Sequence, residues 1–377
     1  MAGLYLHIPF CKRRCLYCDF YSTTMEERKE EYVRALCREL ELRKEYLQGE
    51  PLETLYLGGG TPSQLNQQAL EQIFETVERV YGLSQCSEIT LEANPDDLSE
   101  AYVRMLRTLP VNRLSMGVQT FNEEKLRFLH RRHTAAQAIE AVRRCQEAGL
   151  TNLSVDLIYG LPGEQPSDWE ADLQQAVALQ VPHLSAYHLI YEEGTELYRL
   201  LEAHRVEEVD EELSVRFFRM LIEQLRAAGY EHYEISNFAL PDHYARHNTA
   251  YWTGRRYLGA GPSAHSYNGV TRQWNVASLT DYIEALLKEG RVPFELEELD
   301  RTTRYNERVI TSLRTMWGLN LTQLEQEFGR ELVDYCLRNA QPHLQEGRLK
   351  KEKDTLKLTA EGIFLSDGIM SDLLSID

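Results

Sequence analysis

The chain has 377 residues, 43% hydrophobic and 27% charged, with 41 basic against 59 acidic side chains and a formal charge of -18. At roughly 150 residues per domain it holds two or three domains, and its composition excludes collagen-like, mainly disordered and disulfide-scaffold chains. So acidic a chain has no global drive toward phosphate backbones or anionic lipid, and no apolar run approaches the ~20 residues of a membrane span. The amino terminus runs straight into a strand-like pattern without a cleaved signal, so a cytoplasmic protein that binds no nucleic acid is expected.

Apolar runs at residues 4–8, 54–57, 88–92, 113–118, 153–158 and 183–189 read as strands, and the segments between them carry a helical period, such as Val33, Leu36, Leu40 and Leu47. Repeated strand and helix imply parallel strands joined by right-handed crossovers. Six units fall short of the eight of a closed barrel, so the expected fold is α/β, a partial (β/α)6 barrel over 1–229 with its site at the carboxyl ends of the strands. Residues 230–290 turn aromatic and turn-rich and are expected to pack on that barrel. Over 291–377 a helical pattern returns, and two short runs flank a turn at Lys353-Asp354. Helices, a hairpin and a last helix predict a winged-helix-like domain, whose mixed charges favour a packing or partner role over nucleic acid.

Of the seven cysteines, Cys37, Cys86, Cys145 and Cys336 stand singly and read as small buried hydrophobes. Cys11, Cys15 and Cys18 crowd into one C-x3-C-x2-C loop. Three thiolates suit a [4Fe–4S] cluster with one iron left open; the alternatives are a zinc site completed by a distant histidine, or a chance cluster. Gly58-Gly59-Gly60-Thr61-Pro62 follows the second strand and allows close backbone approach. Glu92 ends the third strand, where a carboxylate needs a partner. Gln119 ends the fourth, and Asp156 is a charge inside an apolar strand. From the residues alone, each is either a structural hydrogen-bonding group or a ligand.

The run from Tyr5 to Phe20 and the glycine triplet resemble the radical S-adenosylmethionine (SAM) superfamily, in the branch of oxygen-independent coproporphyrinogen III oxidase and the HemW-type haem chaperones. The resemblance covers essentially the whole chain. It implies a [4Fe–4S] cluster on Cys11, Cys15 and Cys18 whose open iron chelates SAM, and whose electron cleaves the sulfonium to a 5′-deoxyadenosyl radical. It also carries Tyr5, Tyr17, Gly59, Gly60, Thr61 and Glu92 into the SAM site, Tyr17 beside the adenine. Gln119 and Asp156 then bind ribose or methionine, and Arg131 meets the methionine carboxylate with its bidentate fork.

Differences within the branch set the reaction type. Oxidases extend the motif to a further cysteine where this chain has Phe20, and they have a longer segment before it, so coproporphyrinogen decarboxylation is not expected. Arg246-His247-Asn248-Thr249-Ala250-Tyr251-Trp252 reproduces the HNxxYW pattern of the haem chaperones. That implies haem as cargo, with His247 the first candidate ligand and Tyr251 and Trp252 offering flat apolar faces. A glycine-rich turn from Tyr257 to Ser266 lines the same cleft and makes His265 a second candidate. The implied partners are haem-receiving client proteins of the respiratory chain, with membrane contact only through them. An intact SAM site does not require SAM turnover, so an enzymatic role stays open. The competing readings are the decarboxylase and a methyltransferase using two SAM molecules.

Overall fold

The structure, a computed structural model, describes residues 1–376. Strands β1 (Ala2–Ile8), β2 (Leu52–Gly59), β3 (Glu88–Ala93), β4 (Arg113–Gln119), β5 (Leu153–Tyr159) and β6 (His183–His188) alternate with helices and pair in that order, all parallel. Such strands are covered on both faces, so they stand out in the sequence as apolar runs. In β1, Leu4, Leu6 and Ile8 are fully buried in the core shared with Tyr32, Leu36 and Leu40 of helix Lys29–Leu42. The alternate residues, Tyr5 and His7, face the concave interior. Caps fix the helix starts: Asn66 accepts from the Ala69 N–H, Ser99 from Tyr102, and Thr134 forms a capping box with Gln137.

Residues 230–298 form no unit of their own. β7 (Glu231–Glu234) and β8 (Asn237–Ala239) extend the sheet beyond β6 in antiparallel pairing. The chain then crosses the amino-terminal ends of the strands as a short helix, Arg246–Trp252. On the opposite edge β9 (Tyr257–Ala260) runs parallel to β1, followed by antiparallel β10 (His265–Tyr267), β11 (Thr271–Asn275) and β12 (Phe294–Glu298). The sheet thus has twelve strands, in the order β12-β11-β10-β9-β1-β2-β3-β4-β5-β6-β8-β7. Its two ends do not pair, which leaves a partial barrel open on one side. β12, which falls within the expected 291–377 domain, pairs with β11 of the large sheet.

The smaller C-terminal unit contains helix Arg301–Leu313, a helix Leu321–Gln345 broken at Gly329 (φ 77°), a hairpin of Leu349–Glu352 and Thr355–Leu358, and helix Ser366–Asp372. With Leu319–Asn320 as a third strand this is a winged-helix-like arrangement, built on its own core of Tyr305, Val309, Phe328, Cys336 and Leu356. It seals the β7 edge: the Ile235 N–H donates to Arg314 O (3.2 Å) and the Met316 N–H to Tyr233 O (3.0 Å). Among the described residues no helix is long and apolar enough to cross a membrane.

Candidate functional site

The loop after β1 carries Cys11, Cys15 and Cys18 at the carboxyl ends of the strands. It is folded back by the Thr23 N–H donating to Pro9 O (2.7 Å) and the Cys11 N–H to Thr23 O (2.9 Å). Cys11 Sγ lies 3.4 Å from Thr61 Oγ1, and Arg131 Nη1 donates to Cys15 Sγ at 3.2 Å. Asn94 closes the ring, donating through Nδ2 to Thr61 Oγ1 (3.3 Å) and accepting from Arg131. Burial raises the thiol pKa of Cys11 and pushes that of Cys18 up to about 11, so thiolates here need a cationic partner. Among the described residues no three His, Cys, Asp or Glu side chains are grouped to hold one metal ion. The donor set in the loop is three free cysteine thiols, a chemistry that suits a cluster taking each thiolate on a different iron.

The glycine triplet answers first to packing. Gly59 has φ 104° and a Cβ there would lie 2.5 Å from the His7 ring, while a Cβ on Gly60 would lie 2.7 Å from the backbone of Pro9. The Gly59 N–H donates to Glu92 Oε2 (3.1 Å) and Tyr56 Oη to Oε1 (2.7 Å). Burial raises the Glu92 pKa to about 7. Asp156 accepts from Ser115 (3.1 Å) and Ser154 (3.3 Å), its pKa also raised by burial. Gln119 ends β4 with φ 72°, at an irregularity in the β4–β5 register, a conformation uncommon outside glycine. Tyr17 is held above its ordinary pKa by burial, beside Arg131 and Cys15. Tyr5 stacks on Tyr56 (6.1 Å) and shares a hydrogen bond with His7 Nδ1 (3.1 Å). The Arg131 guanidinium leaves its buried Nε without a partner, a valence that an anionic ligand group can fill. Sequence reasoning missed Tyr56, Asn94 and Ser115. Their one signal is position, since each lies on or just after a strand that already carries a named residue.

The HNxxYW run lies elsewhere. It was expected to be irregular, yet it forms the helix Arg246–Trp252 across the base, with His247 and Tyr251 one turn apart on one face. Thr54 Oγ1 bonds His247 Nδ1 (2.8 Å) and Tyr251 Oη bonds Nε2 (2.9 Å). Glu88 accepts the His247 N–H (2.9 Å), and the ring stacks on Tyr56 (5.0 Å). Burial lowers the His247 pKa to about 3. The ring touches the level of Gly3, five residues before Ile8, so about 16 Å of strand separates it from the cysteine loop. Trp252 points to the C-terminal unit, under the Arg314 guanidinium (5.1 Å). The three residues expected to meet one porphyrin therefore face different surroundings, and both ring nitrogens of His247 are already taken. A cavity of about 1000 Å³ lies between helix Glu211–Ala227 and the C-terminal hairpin, lined by Arg314 among others.

Comparison with known proteins agrees with this architecture. The Radical SAM superfamily profile matches residues 5–176, and the HemN C-terminal domain profile matches residues 299–365. The heme chaperone HemW of Bacillus subtilis is 32% identical over 99% of both chains. The heme chaperone HemW of Mycobacterium tuberculosis is 34% identical over 99% of this chain and 94% of its own. The chain belongs to the HemW family of the radical SAM superfamily. Coproporphyrinogen III oxidase (HemN) from Escherichia coli, a radical SAM enzyme, superposes with a TM-score of 0.85 at 25% identity, covering 99% of this chain and 90% of the other. Membership in the superfamily implies a [4Fe–4S] cluster and SAM.

Proposed function

We propose that the protein receives haem and passes it to client haemoproteins, on a scaffold that holds a [4Fe–4S] cluster and SAM. The observation that carries this reading is full-length similarity to relatives named heme chaperones, joined to an HNxxYW run and a Phe at position 20. Cys11, Cys15 and Cys18 would hold the cluster, which supplies a low-potential electron and an open iron when bound. Arg131 would meet a carboxylate through its free Nε, and Glu92 an ammonium group, whose charge would draw its carboxyl back toward ionisation. Asp156, inside β5, and Gln119, at the end of the neighbouring β4, would orient the ribose and methionine. Haem enters through the side where β7 and β12 do not pair, onto a concave face carrying Tyr5, Tyr56 and the half-exposed Tyr187. Aromatic faces suit a flat macrocycle. Phe20, 67% exposed, supplies no thiolate, so decarboxylation of coproporphyrinogen is not part of this role.

The test loads anaerobically reconstituted protein with haem and mixes it with an apo-haemoprotein. Stoichiometric haem uptake followed by transfer, without formation of protoporphyrinogen from coproporphyrinogen and SAM, is expected. Robust decarboxylation with SAM consumed in step would return the chain to the oxidases. Equilibrium dialysis with labelled SAM should show at least about tenfold weaker binding to Arg131→Ala, since a buried carboxylate would lose a charged partner.

A further inference from the structure

An axial ligand to haem iron needs an imidazole nitrogen with a free lone pair. Of the 11 histidines, His7, His183, His188 and His247 have both ring nitrogens engaged by protein. His133, His232 and His343 each commit one nitrogen, and the His133 and His343 rings are buried. His130 faces Glu196, and His204 and His243 are exposed outside the sheet. His265 stands on a strand of the large sheet, which His204 and His243 do not. It is exposed, and among the described residues nothing donates to or accepts from its ring.

Register places that ring on the concave face, level with Tyr5. Tyr5 and Gly259 are partners in the parallel β1–β9 pair, and Tyr257 is opposite Tyr267 in β9–β10. Tyr257, Tyr267 and, two residues before it, His265 therefore share the concave face with Tyr5. Trp274, directly opposite His265 in β11, stacks on the imidazole with centroids 6.1 Å apart and planes inclined by 28°. A second layer fixes the wall from behind. Arg43 donates to Ser266 Oγ (3.2 Å) and Gly259 O (3.1 Å), and buried Glu39 accepts from Arg43 (3.2 Å), the Gly261 N–H (2.8 Å) and Tyr282 (2.6 Å). At Gly259 a Cβ would lie 2.0 Å from His265 O, so the two backbones are in close approach. Partial burial first, and Arg272 second, lower the His265 pKa, which keeps the ring neutral and able to ligate.

We infer that His265 is the axial ligand that takes haem iron on the concave wall of β10 and β11, with Trp274 as the positioning residue that holds the imidazole plane. This deepens the haem-chaperone reading and rests on it. Ligation is a simple exchange: a ring nitrogen donates its lone pair to iron, a bound water leaves, and no electron is transferred. His247 then serves the base of the barrel, not the iron.

The experiment titrates haem and, separately, metal-free protoporphyrin IX into reconstituted wild type, His265→Ala, Trp274→Ala and His247→Gln, each checked for folding by thermal melt. His265→Ala should lose the imidazole-ligated Soret and visible bands and weaken haem binding by about tenfold or more, while metal-free porphyrin binding stays unchanged. Free imidazole should restore its spectrum. Trp274→Ala should keep the ligand but broaden the low-spin electron paramagnetic resonance signal. Wild-type spectra in His265→Ala, with the bands lost in folded His247→Gln instead, would overturn the assignment and leave the chaperone reading standing. No haem bound by the wild type would take down that reading and the inference together.

Discussion

Two polar side chains at opposite ends of the barrel, His247 at the base and Arg131 at the mouth, are treated in opposite ways. At the base, His247 has Thr54 and Tyr251 on its two nitrogens, and Glu88 accepts the backbone N–H groups of both Arg246 and His247. At the mouth, Arg131 has an unmatched buried Nε, Glu92 is held near pKa 7, and Gln119 sits at φ 72°. A saturated network locks a structure; leftover valence and backbone strain mark where a ligand completes one. A histidine motif is thus weak evidence for a metal ligand until its ring nitrogens have been accounted for.

Emptying the mouth gives the largest expected effect. Iron and sulfide analysis after anaerobic reconstitution should find about four of each per chain, none on serine variants of Cys11, Cys15 or Cys18, and a full set on serine variants of Cys37, Cys86, Cys145 or Cys336. Breaking the base should cost stability while sparing the cluster. His247→Gln leaves Thr54 and Tyr251 poorly matched, and urea denaturation should show a loss of about 2 kcal/mol at pH 7.5. The pH dependence sharpens the contrast. Burial holds the folded His247 pKa at about 3, below its unfolded value, so between about 6.5 and 3 only the unfolded chain takes up the proton. The wild type loses that stability as pH falls, and the variant does not, so the gap between them should narrow below pH 6.5 by up to about 1.4 kcal/mol per pH unit. A gap that widened on acidification would mean a histidine charged in the fold. The smallest effect belongs to Trp252→Ala, which removes the contact with Arg314 and should cost about 0.5–1 kcal/mol in the same assay, with haem spectra unaltered.

The first six strands were legible because each is a buried apolar run of six to eight residues, and the cysteine loop because its spacing is local. The later strands were not. β7 to β12 have three to five residues each, too few to show alternation, and the pairings that join them to the barrel, β9 with β1 and β8 with β6, link residues far apart in sequence. Distance also hid the base helix: the i,i+4 pair of His247 and Tyr251 is visible in the motif, but its partner Thr54 lies 193 positions away. Glu39 looks like a solvent-facing residue in an amphipathic helix. It is fully buried because Asn275 of β11 and Tyr282 of the helix Leu279–Glu284 meet it there. Gly59, Glu92 and Gln119, suggested by resemblance, fall at or near strand ends, whereas Asn94 and Tyr56, which contact Arg131 and Glu92, carry no motif.

A sheet that does not close has two free margins, and this chain guards them differently. Along β12 every residue is exposed, and Glu295, Glu297 and Glu298 place like charge on the strand, which discourages a second molecule from adding to it. β7 is guarded in another way, for its margin is occupied by residues 314–316 of the C-terminal unit through backbone pairing. The small domain is therefore also a plug against polymerisation: a chain ending after Glu298 would present the bare β7 margin to its neighbours and would be prone to grow by strand addition.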